Sequence, residues 1–203
     1  IAGIGGQGSV LAARILAQAA EAKGWQVRSA ETIGMAQRGG DVMSHVRMGN
    51  AGEEVFSPLP AKGTVDVLIA LEPGEAARAL PYLKENGLLV VASTGIPPVM
   101  ANFKRQTYDP QHLIDDMQAA GVKMVVVDDA ELVHRLGEPK ALNVMMLAYA
   151  IIAVNKREDC VDNALRGAIT LEDIEAAIPL CVKRKLVSVN EKAIKVVQQA
   201  ARV

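Results

Sequence analysis

Apolar runs typical of β-strands alternate with helical repeats over the first 127 residues of the chain. The run at 65–71 is almost continuously apolar, which is typical of a strand in a sheet that is covered on both faces. The first helical segment has Leu11, Ile15 and Ala19 at intervals of four. We predict strands at residues 1–4, 25–30, 42–48, 65–71, 88–92 and 122–127, helices at 9–23, 73–83 and 110–120, and a turn at Asn86-Gly87.

Beyond residue 127 the pattern becomes mainly helical, with helices predicted at 130–136, 140–155, 170–178 and 190–201. These elements predict an α/β fold: an open, mainly parallel, Rossmann-like three-layer sheet with a helical C-terminal part from about residue 129. We find no internal repeat or linker, so we expect a single domain over residues 1–203. Because the first residue is Ile1 rather than Met, we expect the sequence to begin inside its first strand.

The helix predicted at 140–155 carries an apolar stripe that must be covered by other parts of the protein or by a partner. The stripe either packs into the core or docks another subunit. Its members are Leu142, Met145, Met146, Tyr149 and Ile152.

Composition excludes several classes of protein. The 203 residues include 22 Lys or Arg and 23 Asp or Glu, so the formal net charge is −1. A general nucleic-acid binder needs a basic excess to neutralise phosphates, and we expect no nucleic-acid partner. No stretch reaches the roughly 20 apolar residues of a membrane span, so we expect no membrane partner. Cys160 and Cys181 form no CxxC pair, which predicts no iron–sulfur or zinc site and favours a cytoplasmic location.

A glycine-rich turn joins the first strand to the first helix, with the sequence Gly3-Ile4-Gly5-Gly6-Gln7-Gly8. It contains G-x-G-x-x-G between a strand and a helix, which is the context in which this motif binds phosphates. Glycines permit positive φ angles, and the N–H groups at the start of the helix favour an anion. The alternative is a turn that only packs the strand against the helix.

A nicotinamide dinucleotide is one possible ligand of this turn. Glu31 lies 23 residues after Gly8, which is a suitable spacing for an acid that binds the ribose hydroxyls. Residues 32–41, however, form a polar, glycine-rich loop at the point where a dehydrogenase would begin a crossover helix.

This loop is the most specific feature of the chain. Arg38 is followed by Gly39 and Gly40, which would expose its guanidinium to a carboxylate or a phosphate. The alternative is an ion pair between Arg38 and a local acid such as Asp41. On the following strand we interpret His45 as an ordinary surface histidine.

Several segments, in their order along the chain, resemble the gamma subunits and domains of 2-oxoacid:ferredoxin oxidoreductases, which act on pyruvate, ketoisovalerate or indolepyruvate. Within that family the resemblance is greatest to the beta subunit of indolepyruvate ferredoxin oxidoreductase. The similarity runs from residue 1 to about 155. It rests on the glycine turn, residues 34–40, Ser44-His45-Val46-Arg47, residues 66–76, and Asn143-Val144-Met145-Met146-Leu147.

The resemblance implies an oxidative decarboxylation. A 2-oxoacid loses CO₂ on thiamine diphosphate with Mg²⁺, electrons pass through iron–sulfur clusters to ferredoxin, and the acyl group passes to coenzyme A. Gly40-Asp41-Val42 departs from the Gly-Asp-Gly signature of thiamine diphosphate sites, and clustered cysteines are absent. We therefore expect the redox cofactors on a large partner subunit, and ferredoxin as an indirect partner.

The resemblance also implies a role for this chain: it is inactive alone, has no catalytic or metal-binding residue, and completes the enzyme and its coenzyme A or substrate surroundings. For Glu72, capping of the helix that starts at Pro73 is an equal alternative. The residues expected to contact a phosphate, coenzyme A or the partner are Gly3, Gly5, Gly6, Gln7, Gly8, Arg38, Gly39, Gly40, Glu72 and Asn143.

Two other functions stay open at this point. A stand-alone NAD(P)-binding Rossmann oxidoreductase would explain the glycine turn and Glu31, but it leaves the Arg38 loop unexplained. A purely structural or regulatory binding module is the other.

Overall fold

The computed structural model describes residues 1–34, 39–50, 52–97, 108–157, 159 and 162–201. Its six strands are β1 (Ala2–Ile4), β2 (Gln26–Ile33), β3 (Asp41–Gly49), β4 (Val65–Ala70), β5 (Leu83–Ala92) and β6 (Met124–Val127). The helices in this part of the chain are α1 (Ser9–Ala22), α2 (Pro73–Ala79), α3 (Pro110–Ala119), α4 (Asp129–Leu136), α5 (Leu142–Lys156), α6 (Leu171–Cys181) and α7 (Arg184–Ala200).

Capping side chains fix the starts of several helices. The carboxylates of Asp109 and Asp128 accept the backbone N–H groups of the first turns of α3 and α4. Thr170 and Asp173 form a reciprocal capping box at the start of α6. Gly137, at φ 74°, ends α4 in the left-handed conformation that glycine adopts at little cost.

The six strands form one sheet in the order β2-β3-β1-β4-β5-β6. The pairs β1–β4, β4–β5 and β5–β6 are parallel, whereas β3 is antiparallel to both β1 and β2. The β2–β3 hairpin therefore places an antiparallel strand beside β1, where a regular Rossmann sheet has a parallel one. The sheet is mainly parallel, as predicted, but mixed on this side.

Helices cover both faces of the sheet and enclose two apolar clusters. On one face, α1 and the C-terminal helices α4 to α7 pack against β4 and β5. On the other face, α2 and α3 pack Ala76, Ala79, Ile114 and Met117 against the same strands. The C-terminal helices are thus part of the main core, and the three-layer architecture is confirmed.

The apolar stripe on α5 is a core element. Met145 and Met146 are fully buried, and Leu142, Tyr149 and Ile152 pack against the same cluster while partly buried. Of the two interpretations of this stripe, core packing is confirmed. In the part of the chain that the structure describes, no helix has the length and apolar character needed to cross a membrane.

Three predicted boundaries are wrong. Asn86-Gly87 is not a turn, because β5 runs through it from Leu83 with a bulge opposite Val65 and Val67 of β4. The helix predicted at 73–83 ends at Ala79 and continues as a 3₁₀ turn, Leu80–Tyr82, since Pro81 cannot donate the next helical hydrogen bond. The last helix begins six residues earlier than predicted, at Arg184 rather than 190.

Candidate functional site

We assign the candidate site to the carboxyl ends of β1 and β4, which are neighbours in the sheet, and we call this place the crevice. The connection after β1 leads to α1 on one face, and the connection after β4 leads to α2 on the other. Ligands of open α/β sheets bind at such a switch point, where successive connections diverge. The glycine turn at residues 3–8 lines one side of the crevice, and Leu71 and Glu72 line the other.

The glycine turn forms one side of the crevice, and the N–H groups of Ile4, Gly5 and Gln7 are bonded within the protein. Gly6 and Gly8 have backbone φ angles of 104° and 86°, which residues other than glycine rarely adopt. Gly8 is the N-cap of α1, and within the described residues no side chain caps this helix and its first turn holds no acid. A helix start of this kind carries partial positive charge and N–H donors, so it can bind an anion.

Gln7 braces the crevice from within. Its Oε1 accepts the Ile4 N–H at 2.7 Å, and its Nε2 donates to the Leu71 carbonyl at 2.9 Å. The side chain therefore ties the end of β1 to the end of β4. Gln7 therefore fixes the distance between the two sides of the crevice, because it bonds Ile4 on one side and Leu71 on the other.

Asn143 ties the start of α5 to the glycine turn. Its Nδ2 donates to the Gly8 carbonyl at 3.0 Å, and the residue is 1% exposed. A Cβ on Gly8 would lie 2.8 Å from this Nδ2, so only glycine fits at this position. The Oδ1 of Asn143 is buried and has no hydrogen-bond partner among the described residues.

Glu72 is a buried carboxylate, 2% exposed, at the end of β4. Its Oε2 accepts the Glu75 N–H at 2.9 Å, which caps α2, and its Oε1 accepts the Ile96 N–H at 3.3 Å and the Tyr108 hydroxyl. Burial raises the pKa of Glu72, while the backbone hydrogen bonds oppose the shift. Of its two interpretations, helix capping is confirmed; contact with a ligand stays a prediction.

The loop between β2 and β3 contains Arg38, which lies outside the described residues, so its role stays a prediction. Gly39 and Gly40 are described, and the Gly40 carbonyl accepts the Gly5 N–H at 2.9 Å. Two glycine segments that are 35 residues apart in sequence, at Gly5 and Gly40, therefore lie side by side at the crevice.

The interpretation of His45 as a surface residue is wrong. His45 is 8% exposed, because β3 is an inner strand and the Tyr82 ring covers it in an edge-to-face contact at 5.9 Å. Its Nε2 lies 3.3 Å from the Thr32 hydroxyl, and burial lowers the pKa of the imidazole.

Asp129 and Tyr108 belong to this edge of the sheet and were not predicted. Asp129 is 5% exposed, and its Oδ1 accepts the Ser93 hydroxyl at 3.1 Å and the Thr94 N–H at 2.9 Å. Together with Glu72 it holds the segment after β5 from both sides. Its position two residues after an apolar strand was a usable signal for Asp129. Tyr108 had no such signal, because its contact with Glu72 joins residues that are 36 positions apart in the chain.

The described site residues thus converge at one edge through direct hydrogen bonds from Gly5 to Gly40, from Gln7 to Leu71 and from Asn143 to Gly8. The side chains of Gln7 and Asn143 are bonded within the protein, and contact of the glycine turn with a ligand stays a prediction. In the part of the chain that is described, no three His, Cys, Asp or Glu side chains are grouped as metal ligands.

Comparison with protein families gives one match over residues 1–203, to the family described as Pyruvate ferredoxin/flavodoxin oxidoreductase. The chain is 33% identical over 196 residues to the indolepyruvate oxidoreductase subunit IorB of Archaeoglobus fulgidus, covering 96% of this chain and 90% of that protein. It is 31% identical over 207 residues to the IorB subunit of Thermococcus kodakarensis, covering 100% of this chain and 94% of that protein.

Solved structures share the fold. The gamma subunit of the keto/oxoacid ferredoxin oxidoreductase from Geobacter sulfurreducens superposes with a TM-score of 0.66 at 22% identity, covering 100% of this chain and 96% of that one. The 2-oxoglutarate:ferredoxin oxidoreductase from Magnetococcus marinus, solved with 2-oxoglutarate, coenzyme A and succinyl-CoA bound, gives a TM-score of 0.69 at 16% identity, covering 99% of this chain and 30% of that one.

Proposed function

The chain belongs to the pyruvate ferredoxin/flavodoxin oxidoreductase family, and from that premise we propose that it is the subunit without redox cofactors of a 2-oxoacid:ferredoxin oxidoreductase. Its relatives are subunits of such enzymes. The substrate of the whole enzyme is indolepyruvate or another arylpyruvate, a choice supported by the names of the relatives above 30% identity. The enzyme works in the cytoplasm and oxidises this substrate to an acyl-CoA, releasing CO₂ and passing electrons to ferredoxin.

One observation carries the proposed role: the glycine turn, Gly40 and Asn143, which belong to three segments that resemble the family, are joined by hydrogen bonds around the start of α1, where no described side chain caps the helix. A set of residues kept only for local packing would have no reason to meet at the switch point of the sheet. The N–H groups at the start of α1, which no described side chain caps, instead suit the diphosphate of coenzyme A or a carboxylate of the partner.

The chain's own residues do not fit the redox cofactors. Asp41, the acid nearest to a thiamine diphosphate signature, lies in β3 opposite Ile4 and beside Gly34, inside the sheet. Cys181 is the free cysteine of the described residues, and it lies beside the Arg14 carbonyl without a second thiol. We therefore assign thiamine diphosphate, Mg²⁺ and the iron–sulfur clusters to a larger partner subunit.

The position of Glu31 argues against a stand-alone NAD(P) enzyme. In a Rossmann domain the ribose-binding acid ends the strand next to β1, but here β3 occupies that place and β2 lies one strand further out. At about 4.8 Å per strand, Glu31 is displaced by roughly one strand spacing from the required position. A structural module is the second candidate, favoured by the internal hydrogen bonds of Gln7, Glu72 and Asn143.

The deciding experiment is reconstitution of the isolated chain with a large subunit that carries thiamine diphosphate and iron–sulfur clusters. We expect the chain alone to be colourless and inactive, and the pair to reduce a viologen dye in the presence of indolepyruvate and coenzyme A. Omission of coenzyme A should stop steady turnover.

Titration separates the candidates. If enzyme reconstituted with a Gly6→Asp chain has the same apparent affinity for coenzyme A as enzyme reconstituted with the unaltered chain, the crevice has no part in binding and the structural module is correct. Tight binding of NADH by the chain alone, with dehydrogenase activity, would contradict both.

A further inference from the structure

One face of the β2–β3 hairpin lies largely outside the two apolar clusters. Val27 and Met48 pack with α1 in the main core, so the residues that alternate with them point to the other side of the sheet. In the part of the chain that the structure describes, the cluster on that side includes Met43 of β3 but no residue of β2. We call this side of the hairpin the outer face, and its other members are Gln26, Arg28, Ala30, Thr32, His45 and Arg47.

Two arginines lie opposite each other on the outer face. In the register of the hairpin Arg28 pairs directly with Arg47, and such opposed residues share a face with their Cβ atoms about 5 Å apart. The contact between Thr32 Oγ1 and His45 Nε2, at 3.3 Å, shows the same arrangement further along this face. Both arginines are exposed, and like charges at directly opposed positions destabilise a sheet.

The chain does not neutralise this pair itself. Arg28 Nη1 and Arg47 Nη1 each donate to one backbone carbonyl, at 3.1 Å and 3.0 Å. Among the described residues neither guanidinium forms an ion pair, and this includes Glu53 and Glu54 of the loop after β3. Glu31, the acid of β2, alternates with Arg28 and points to the other face of the sheet. Other N–H groups of both guanidinium ions are therefore available to an acceptor from outside.

An exposed aromatic ring borders the arginine pair. The segment after β3 is held at Val55, whose N–H donates to Gln26 Oε1 at 3.0 Å, and at Ser57, whose carbonyl accepts from Arg47. Phe56 lies between these two anchors and is 85% exposed. Arginine and aromatic side chains are the types enriched at the centres of protein interfaces. The outer face thus combines unneutralised positive charge with an uncovered apolar ring.

We propose that the outer face docks an acidic segment of the large partner subunit, with a carboxylate between Arg28 and Arg47 and an apolar side chain against Phe56. The identity of the partner rests on the proposed function, and the chemistry of the segment rests on charge complementarity. A carboxylate accepts parallel hydrogen bonds from a guanidinium and offsets the repulsion within the pair. Assembly therefore removes a cost that the isolated chain bears.

Other occupants satisfy the outer face less well. A free anion on an open sheet surface is screened by salt, and it leaves Phe56 uncovered. A second copy of the chain, meeting this one outer face to outer face, adds a second arginine pair to the first and increases the repulsion. A protein segment that carries both an acid and an apolar side chain covers the ring and neutralises the charge.

The outer face is separate from the crevice. Arg28 is five residues from Ile33, the end of β2 that lies towards Gly40, which corresponds to about 17 Å along the strand. A change at Arg28 should therefore alter the affinity between subunits, while the coenzyme A concentration for half-maximal turnover stays the same once the subunits are saturated.

The test measures the affinity of the full chain for the large subunit, and the melting temperature of the chain alone. Arg28→Glu places opposite charges at the directly opposed pair, so the isolated chain should melt about 1–3 °C higher. The same variant should bind the large subunit about tenfold more weakly, or worse. Lys192→Glu is the matched control, because it makes the same charge change at an exposed position of α7, on the other side of the sheet. It should leave the affinity unchanged.

Phe56→Ser provides a second variant that does not change charge. Because the ring is 85% exposed, its loss should leave the melting temperature unchanged while weakening the association. A chain that melts at the same or a higher temperature but assembles less well cannot owe the defect to unfolding.

Unchanged affinity of Arg28→Glu and Phe56→Ser, for a large subunit that the unaltered chain binds and activates, would overturn the docking surface and leave the proposed function intact. Failure of the unaltered chain to bind the large subunit would overturn both. If the two variants keep that affinity but lose a dimer of the chain itself, or lose binding to phosphatidylserine vesicles, the face belongs to a second copy or to a membrane, and the proposal is wrong.

Discussion

The predicted ligand-binding side chains at the crevice are engaged by the protein itself. Gln7, Glu72 and Asn143 each hydrogen-bond a backbone group from a neighbouring segment, so they position the crevice. We propose that recognition is left to the backbone at the start of α1, where no described side chain caps the helix. Anion binding at such a site would depend on the backbone angles of the glycine turn and little on the identity of nearby side chains.

Gly6 allows this recognition to be tested against a matched control. Gly6 and Gly121 have φ angles of 104° and 81°, and at both a Cβ would meet no atom within 4 Å. Alanine at either position should therefore cost a similar amount of stability, about 1–2 kcal/mol. We expect Gly6→Ala, and still more Gly6→Asp, to raise the coenzyme A concentration needed for half-maximal turnover of the reconstituted enzyme. Gly121→Ala, which lies between α3 and β6, should not.

Equal effects of Gly6→Ala and Gly121→Ala on both melting and turnover would mean that the turn acts through stability alone. The Gly6→Asp variant tests whether charge matters. A negative charge at an anion site repels the ligand and weakens its binding, whereas at a neutral contact it does not. Steady-state kinetics and thermal melting of the same preparations provide both readouts.

Glu72 should make stability fall as pH rises. Burial raises the pKa of Glu72 above the ordinary value of a glutamate, so the folded state holds this proton more tightly than the unfolded state does. Stability from this group is complete below pH 4.5 and is lost as pH rises through the raised pKa. In Glu72→Gln this dependence is absent, so the free energy of unfolding of wild type minus variant should decrease between pH 4.5 and pH 8 in urea titrations. Parallel pH profiles for the two proteins would show that the carboxyl is not titrating in this range.

At the scale of elements, α5 joins the sheet to the C-terminal helices. Its buried face contacts the same cluster as Leu88 and Val90 of β5 and Ile69 of β4. A fragment of residues 1–139 would expose these strand residues together, and each buried aliphatic side chain contributes roughly 1.5–3 kcal/mol when removed from water. We expect this fragment to aggregate on size-exclusion chromatography. A monomeric fragment with a cooperative urea transition would instead show that the sheet is stable without its C-terminal helices.

The elements that could be predicted from the sequence are those with a clear hydrophobic periodicity and with residues that mark their start and end. α1 and α3 were predicted to within one residue at their ends, and α4 to within one at its start. The bulge in β5 could not be predicted, because Asn86-Gly87 is the strongest short signal for a hairpin turn and only pairing with β4 overrides it. The early start of α7 was missed since its first turn, with Lys185 and Leu186 exposed, has no buried face to reveal it.

At the scale of the molecule, the α/β sheet predicted from the sequence is confirmed, whereas the order of its strands was not predicted. A ligand site at the carboxyl edge stays a prediction. Strand order depends on contacts between segments distant in the chain, such as Gly5 with Gly40, that leave no local pattern. Contacts of this kind also determine which side chains of the candidate site are bonded within the protein. The crevice was predicted from the glycine turn, whereas the engagement of Gln7, Glu72 and Asn143 became visible only when their distant partners were in place.

The β2–β3 hairpin has a consequence for how such subunits diversify. In a regular doubly wound sheet, each loop at the carboxyl edge leads into a helix, so a change in its length shifts a packed element. Here Ile33 and Asp41 are the ends of two strands paired along their whole length, from Gln26 opposite Gly49 to Ile33 opposite Val42. The connection between them can lengthen, shorten or change composition without moving a helix. Evolution is therefore free to alter one rim of the crevice while the frame that presents the glycine turn is inherited unchanged.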